Sequence, residues 1–318
     1  MYGRANMPET TPGVVRNEST RTVVVALASN LGVALAKAFA AVFTGSVAML
    51  AEASHAFADT GNQVLLLVAQ RRSTRASDDR HPFGYGRDAY FWALIASLGV
   101  FLAGAYFSLR EGITELVRPE GTTSFAVVYA VLLVSVVLDA VSLRRATHQL
   151  RNEARTFRRD FLDQVMLTSD PTVRAVFAED SAAIAGDVIA FAGVALHQIT
   201  GSPAPEGVAA VLIGLLLIGV GVQLARRNRD FLLGEQAPSV VKQPVHDFIV
   251  AYPGVTSIQE LLVTFVGPRR VWVLARVDVD DDLLGDEVEA LVRGIEAGLE
   301  ALSEYIDRVD VVPIGAVD

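Results

Sequence analysis

The sequence predicts an all-α membrane domain of six transmembrane helices, followed by a cytoplasmic α+β module of ferredoxin-like, α-β-β-α-β order. Three observations carry that prediction. The 318 residues are 52% hydrophobic and only 20% charged, with a mean hydropathy of +0.39, which is high for a soluble chain. Six apolar stretches, near 22–44, 47–70, 88–109, 124–146, 176–199 and 207–225, approach the roughly 20 residues a helix needs to cross a bilayer. From Glu235 to Asp318 the composition turns acidic, with sixteen acidic and six basic side chains.

Residues 1–20 mix Pro, Gly, Thr and charges and read as a disordered cytoplasmic tail. The membrane domain is expected over 21–230 and the cytoplasmic module over 235–318. Orientation follows from the loops, because Lys and Arg concentrate on the cytoplasmic side. The second-to-third connection holds Arg71, Arg72, Arg75, Arg80 and Arg87; the fourth-to-fifth holds Arg144, Arg145, Arg151, Arg155, Arg158, Arg159 and Arg174. The opposite loops are poorer in such residues: "TGS" at 44–46 and "QITGSPAPEG" have none, and a short stretch between the third and fourth spans has Arg110 and Arg118. Both termini are therefore expected inside, in a multi-pass protein of the cell (inner) membrane.

The acidic tail is unsuited to gripping nucleic acid or lying on anionic lipid. In it "PSVVKQPVHDFIVAY" has helical periodicity and "SIQELLVTFVG" reads as a strand. "RRVWVLARVDVD" places Val271, Val273, Ala275, Val277 and Val279 on one face. A helix near 285–305 follows, with Val288, Leu291, Ile295, Leu299 and Leu302 as its apolar stripe, and then the strand "RVDVVPI". This order is that of a split βαβ, ferredoxin-like module.

Charged groups deep in membrane helices are costly, so each is a candidate functional group. In "AEASHAFADTGNQ" His55, Asp59 and Asn62 recur at one face of the second span. On the fifth span Asp180 and Asp187 share a face, whereas Glu179 is turned about 100° from Asp180. Lys37 reads as a structural counter-charge, and Asp139 stands alone on the fourth span. His55 with Asp59 fits metal or proton chemistry. With Asp180 they make three ligands of a divalent site, and water or Asn62 could supply a fourth. Glu179 and Asp187 are further candidates for metal binding or proton coupling. The chain has no cysteine, which excludes disulfides and thiolate ligands. One nitrogen and two oxygens disfavour soft ions and leave zinc, iron, manganese and cobalt open. Neither HExxH nor GxSxG occurs, so a hydrolase is set aside, and no prosthetic group is expected.

Taken together, "GSVAMLAEASHAFADTGNQVLLL", "HPFGYGRDAYFWALI", "LIGLLLIGVGVQLARRNRDFLLGEQAP" and the α-β-β-α-β tail resemble the cation diffusion facilitator family, over residues 20 to 313. That resemblance implies a homodimeric, proton-coupled antiporter exporting divalent cations, zinc first. It also implies two ligand pairs, each four residues apart, on the second and fifth helices. His55 and Asp59 match the first pair and Asp180 the second member of the other, whose first position falls on Val176. The departure at Val176 brings in the alternative of a non-transporting, metal-sensing or partner subunit of the same fold.

Overall fold

The computed structural model describes residues 14–119, 122, 124–156 and 160–314. Helices stand at all six expected span positions: α1 (Val14–Thr44), α2 (Val47–Ser73), α3 (Asp88–Val117), α4 (Phe125–Thr156), α6 (Pro171–Thr200) and α7 (Ala204–Leu232). A short α5 (Phe161–Leu167) precedes α6. Among the described residues four helices are long and apolar enough to cross a membrane: Asp88–Val117, Phe125–Arg155, Pro171–Thr200 and Ala204–Leu232. The described apolar part of α1 is Asn30–Thr44. α2 has 27 residues, but Glu52, His55, Asp59, Asn62 and Gln63, followed by Arg71 and Arg72, lower its hydropathy.

The expected tail changes at its boundary. Residues 1–13 lie outside the described residues, as do Arg158 and Arg159, and α1 already begins at Val14. The reason is local, because Arg, Asn and Glu can continue a helix past the end of an apolar run.

Two glycines set the turns read as outer loops. Gly45 (φ 70°) donates its N–H to Ala41 O at 2.9 Å, and Gly201 (φ 70°) donates to His197 O at 2.8 Å. Both close a helix in the left-handed region that glycine adopts without a Cβ clash. At the start of α6 the Asp170 carboxylate accepts from Thr172 N at 3.0 Å, a cap just ahead of a proline at the first helical position.

The chain forms two compact units. The first comprises Met1–Val64, Ala103–Val137 and Ala183–Leu217; the second comprises Leu65–Leu102, Leu138–Ala182 and Ile218–Asp318. The first unit packs on small residues, with Ala40, Ala48, Ala51, Ala190 and Ala210 fully buried around Met49, Val128 and Ile213. α3 and α7 approach so closely that a Cβ on Gly112 would stand 2.8 Å from Gly207 O, the kind of contact small residues allow between membrane helices. Large apolar side chains such as Phe39, Val42, Phe107 and Leu133 face outward instead.

The second unit holds the acidic module: α8 (Ser239–Val250), β1 (Val255–Gly267), β2 (Arg270–Val279), α9 (Gly285–Leu302) and β3 (Ile306–Ile314). The sheet order is β1-β2-β3, with β1 antiparallel to β2 (Val263↔Val273) and β3 parallel to it (Val273↔Val309). The α-β-β-α-β order is the one expected. Val271, Val273, Ala275 and Val277 are buried in β2, together with Leu291, Ile295 and Leu299 of α9. Leu302, at the end of the expected stripe, is exposed where the helix stops. Glu287 accepts the Leu284 N–H at 2.9 Å, which satisfies a backbone donor at the start of α9.

Candidate metal centre

On α2 the residues Glu52, His55, Asp59 and Asn62 are all buried, although each would be well solvated on an ordinary surface. They recur at three- and four-residue steps, so one stripe of the helix carries them. His55 Nε2 lies 3.3 Å from Asp59 Oδ2. Neither His55 ring nitrogen makes a hydrogen bond among the described residues, and His55 is 1% exposed. Buried polar atoms are nearly always satisfied in folded proteins, so the two ring nitrogens make His55 a candidate to bind an ion or a water. A metal ion takes such a nitrogen directly, through the lone pair of the neutral imidazole.

α6 presents the second set. Glu179, Asp180 and Asp187 are buried, and Val176 is partly buried. The Ser142 hydroxyl of α4 donates to the Asp180 carboxylate, with Asp139 of α4 nearby. Asp180 Oδ2 has no hydrogen-bond partner among the described residues. Asp187 is differently engaged, because Lys37 Nζ donates to its Oδ1 at 2.6 Å and to Glu52 Oε2 at 2.7 Å. Lys37 is thus a counter-charge, as expected, for Glu52 as well as Asp187.

His55, Asp59 and Asp187 belong to the first unit and Asp180 to the second. Among the described residues no three His, Cys, Asp or Glu side chains are gathered closely enough to hold a metal ion.

A second buried network went unread in the sequence. His197, which stands alone in sequence and reads as a surface or interfacial side chain, is 7% exposed, and its Nδ1 lies 2.5 Å from Glu206 Oε1. Thr122 Oγ1 donates to Glu206 Oε1 at 2.5 Å and Ser46 Oγ donates to Oε2. One carboxylate therefore ties three loops of the first unit. The signal available was the pairing of His197 and Glu206 on either side of one short glycine- and proline-containing turn.

A family profile described as the cation efflux transmembrane domain matches residues 23–233. The proton-coupled zinc antiporter of Xenopus laevis, described as mitochondrial, is 32% identical over 260 residues, 82% of this chain and 46% of that protein. The chain thus spans about half the length of that relative. The cation-efflux pump FieF of Escherichia coli is 25% identical over 304 residues, 92% of this chain and 94% of the pump. Among solved structures, a variant of the MamM CTD covers 25% of this chain and 95% of its own, with a TM-score of 0.24 and 18% identity.

Proposed function

The chain belongs to the cation efflux family, and on that premise we propose that it is a proton-coupled antiporter exporting divalent cations from the cytoplasm by alternating access. Zinc is the cargo favoured by the names of its relatives; iron, manganese and cobalt share the same ligand chemistry. The observation that carries the reading is the buried His55–Asp59 pair with its open ring nitrogens.

The proposed cargo ligands are His55, Asp59 and Asp180, with Asn62, Glu179 and Asp187 as further contributors to metal binding or proton coupling. A metal ion and a proton compete for the same imidazole nitrogen, so loading from one side and protonation from the other drive opposite exchanges. α1 and α2 complete a six-span bundle with the four apolar helices. Residues 21–230 form the membrane domain, 235–318 a ferredoxin-like cytoplasmic domain that dimerises, and both termini face the cytoplasm of a cell with this protein in its inner membrane.

The test is a flux panel of Zn²⁺, Fe²⁺, Mn²⁺ and Co²⁺ in proteoliposomes, with and without a pH gradient. Flux that rises with an opposing proton gradient is the expected result. Divalent binding without flux supports instead the metal-sensing reading, which Val176 in the fifth-helix ligand position favours. A tag at residue 318 reachable from outside the cell, or monomers by mass photometry, would overturn the topology and the dimer respectively.

A further inference from the structure

At the end of the first unit that carries the loops read as outer, one carboxylate holds three connections together. Glu206, in the first turn of α7, is 1% exposed. Its Oε2 accepts from Ser46 Oγ of the α1–α2 turn, and its Oε1 accepts from Thr122 Oγ1 of the α3–α4 connection at 2.5 Å. The same Oε1 lies 2.5 Å from His197 Nδ1, in the last turn of α6. The donors come from three separate connections rather than from the helix that carries the carboxylate. Two of those connections turn on glycines of positive φ, Gly45 just before Ser46 and Gly201 between His197 and Glu206. At such residues the backbone changes direction without a Cβ clash.

What closes this end is polar, whereas its surroundings are packed on small side chains. Ala209 and Ala210 follow Glu206 by about one turn and are buried, and a Cβ on Gly193 would stand 2.6 Å from the Ala209 Cβ. An apolar seal costs free energy to part in proportion to the surface it exposes. Hydrogen bonds to a carboxylate behave differently, because water takes the place of each donor once the loops separate, and the net cost of opening is small beside the strength of the closed contact. A clasp of this kind holds while dry and releases when wetted. It also lies on the same elements as the candidate cargo pair, since Ser46, just ahead of α2, precedes His55 by about 14 Å of helix rise.

We propose that Glu206, with Ser46, Thr122 and His197, is the outer gate of the ion path, shut in this structure and open when the three connections part and water reaches the carboxylate. The inference rests on the proposed function for alternating access and for the side of the membrane these loops face.

The chain has no cysteine, so one introduced thiol reports alone. Ile213 is fully buried, on the same face of α7 as Glu206 and about two turns deeper. Full-length Ile213→Cys, in outside-out and in inside-out membrane vesicles, is treated with a membrane-impermeant maleimide. Adding Glu206→Ala should speed labelling from the outside by at least about tenfold, the scale of one lost hydrogen bond to a charged group, and leave the rate from the inside unchanged. Labelling unchanged on both sides overturns the gate, and so does an equal gain on both, which is what general loosening would give. Where Glu206→Ala fails to fold, Thr122→Val removes one donor at nearly constant shape and should give a smaller gain, again from the outside only; its absence counts equally against the gate. A gain confined to the inside keeps the gate and overturns the topology instead. Flux that persists while Glu206→Ala labels no faster keeps the transport reading and removes this one, and an outside gain in a chain without flux does the reverse.

Discussion

In the first unit the fully buried side chains include Lys37, Glu52, His55 and Asp187, while in the α8–β3 module they include Val263, Val271, Val273, Ala275, Val277, Ile249, Ile295 and Leu299. The module keeps its charges outside, as in Arg293–Glu289 and Arg270–Asp307. Exposed pairs of that kind contribute little to stability. The first unit does the reverse, facing Phe39 and Leu133 outward and holding Lys37, Glu52, His55 and Asp187 within. Apolar burial is the ordinary source of stability, so the module reads as a scaffold. Buried charge has to be justified by something other than folding, which marks each such group as a candidate functional residue.

The largest effect that would break this contrast is loss of a proposed cargo ligand. His55→Ala or Asp59→Ala should weaken divalent binding by at least about 10- to 100-fold, since even the loss of a supporting partner around a metal costs that much. Transport should nearly vanish while the variants still fold, and isothermal titration in nanodiscs with size-exclusion profiles checks both. Asp180→Ala should behave the same way. Undiminished binding in Asp180→Ala together with a dead Glu179→Ala would move the site to another face of α6.

The module should answer to the opposite kind of change. Ile295 is fully buried, and Ile295→Ala should lower the opening free energy of the β1–β3 amides by about 2–5 kcal/mol in hydrogen exchange. Divalent affinity should stay within about twofold of the unaltered chain, which is the scatter of distant, independent substitutions. A large loss of affinity would show that the module is more than a scaffold.

How much of this was legible in the sequence differs between the regions for the same physical reason. Periodicity reports which face of an element is buried, so the β2 alternation and the middle of the α9 stripe could be read residue by residue. It also placed His55, Asp59 and Asn62 on one face. Periodicity does not say which helix packs on which, so neither the Lys37 bridge to Glu52 and Asp187 nor the His197–Glu206 contact follows from spacing. α2 was read as a span because its apolar residues outnumber the polar ones, yet the same polar stripe keeps its hydropathy below that of the four clear spans.

A smaller effect sharpens the comparison within α6. Val176→His places an imidazole where the resemblance puts a fourth ligand, one turn before Asp180. Zinc affinity should rise by about tenfold, the low end of what one coordination partner contributes. Unchanged affinity would mean that position 176 does not face the cargo.

The smallest effect concerns a charge that is neither in the first unit nor in a core. Asp78, in the loop between α2 and α3, accepts the Tyr85 hydroxyl at 2.7 Å, the His81 N–H at 2.8 Å and the Arg80 N–H at 3.1 Å. The Tyr85 hydroxyl chiefly, with the His81 and Arg80 backbone, holds the Asp78 pKa at about 2 against an ordinary 3.8. A depressed folded-state pKa means that the carboxylate supports the loop fully above the ordinary value, and that support is lost as the pH falls through about 2. Between pH 5 and 8 the loop should therefore be indifferent to acid. Carboxyl ¹³C shifts should show Asp78 titrating near pH 2, and Tyr85→Phe should move that midpoint upward. Asp78→Asn should raise tryptic cleavage after Arg80 by no more than about fivefold, the scale of an exposed charged contact. An Asp78 that titrates near 4 in the unaltered chain would remove the loop from the set of regions whose charges are structurally engaged.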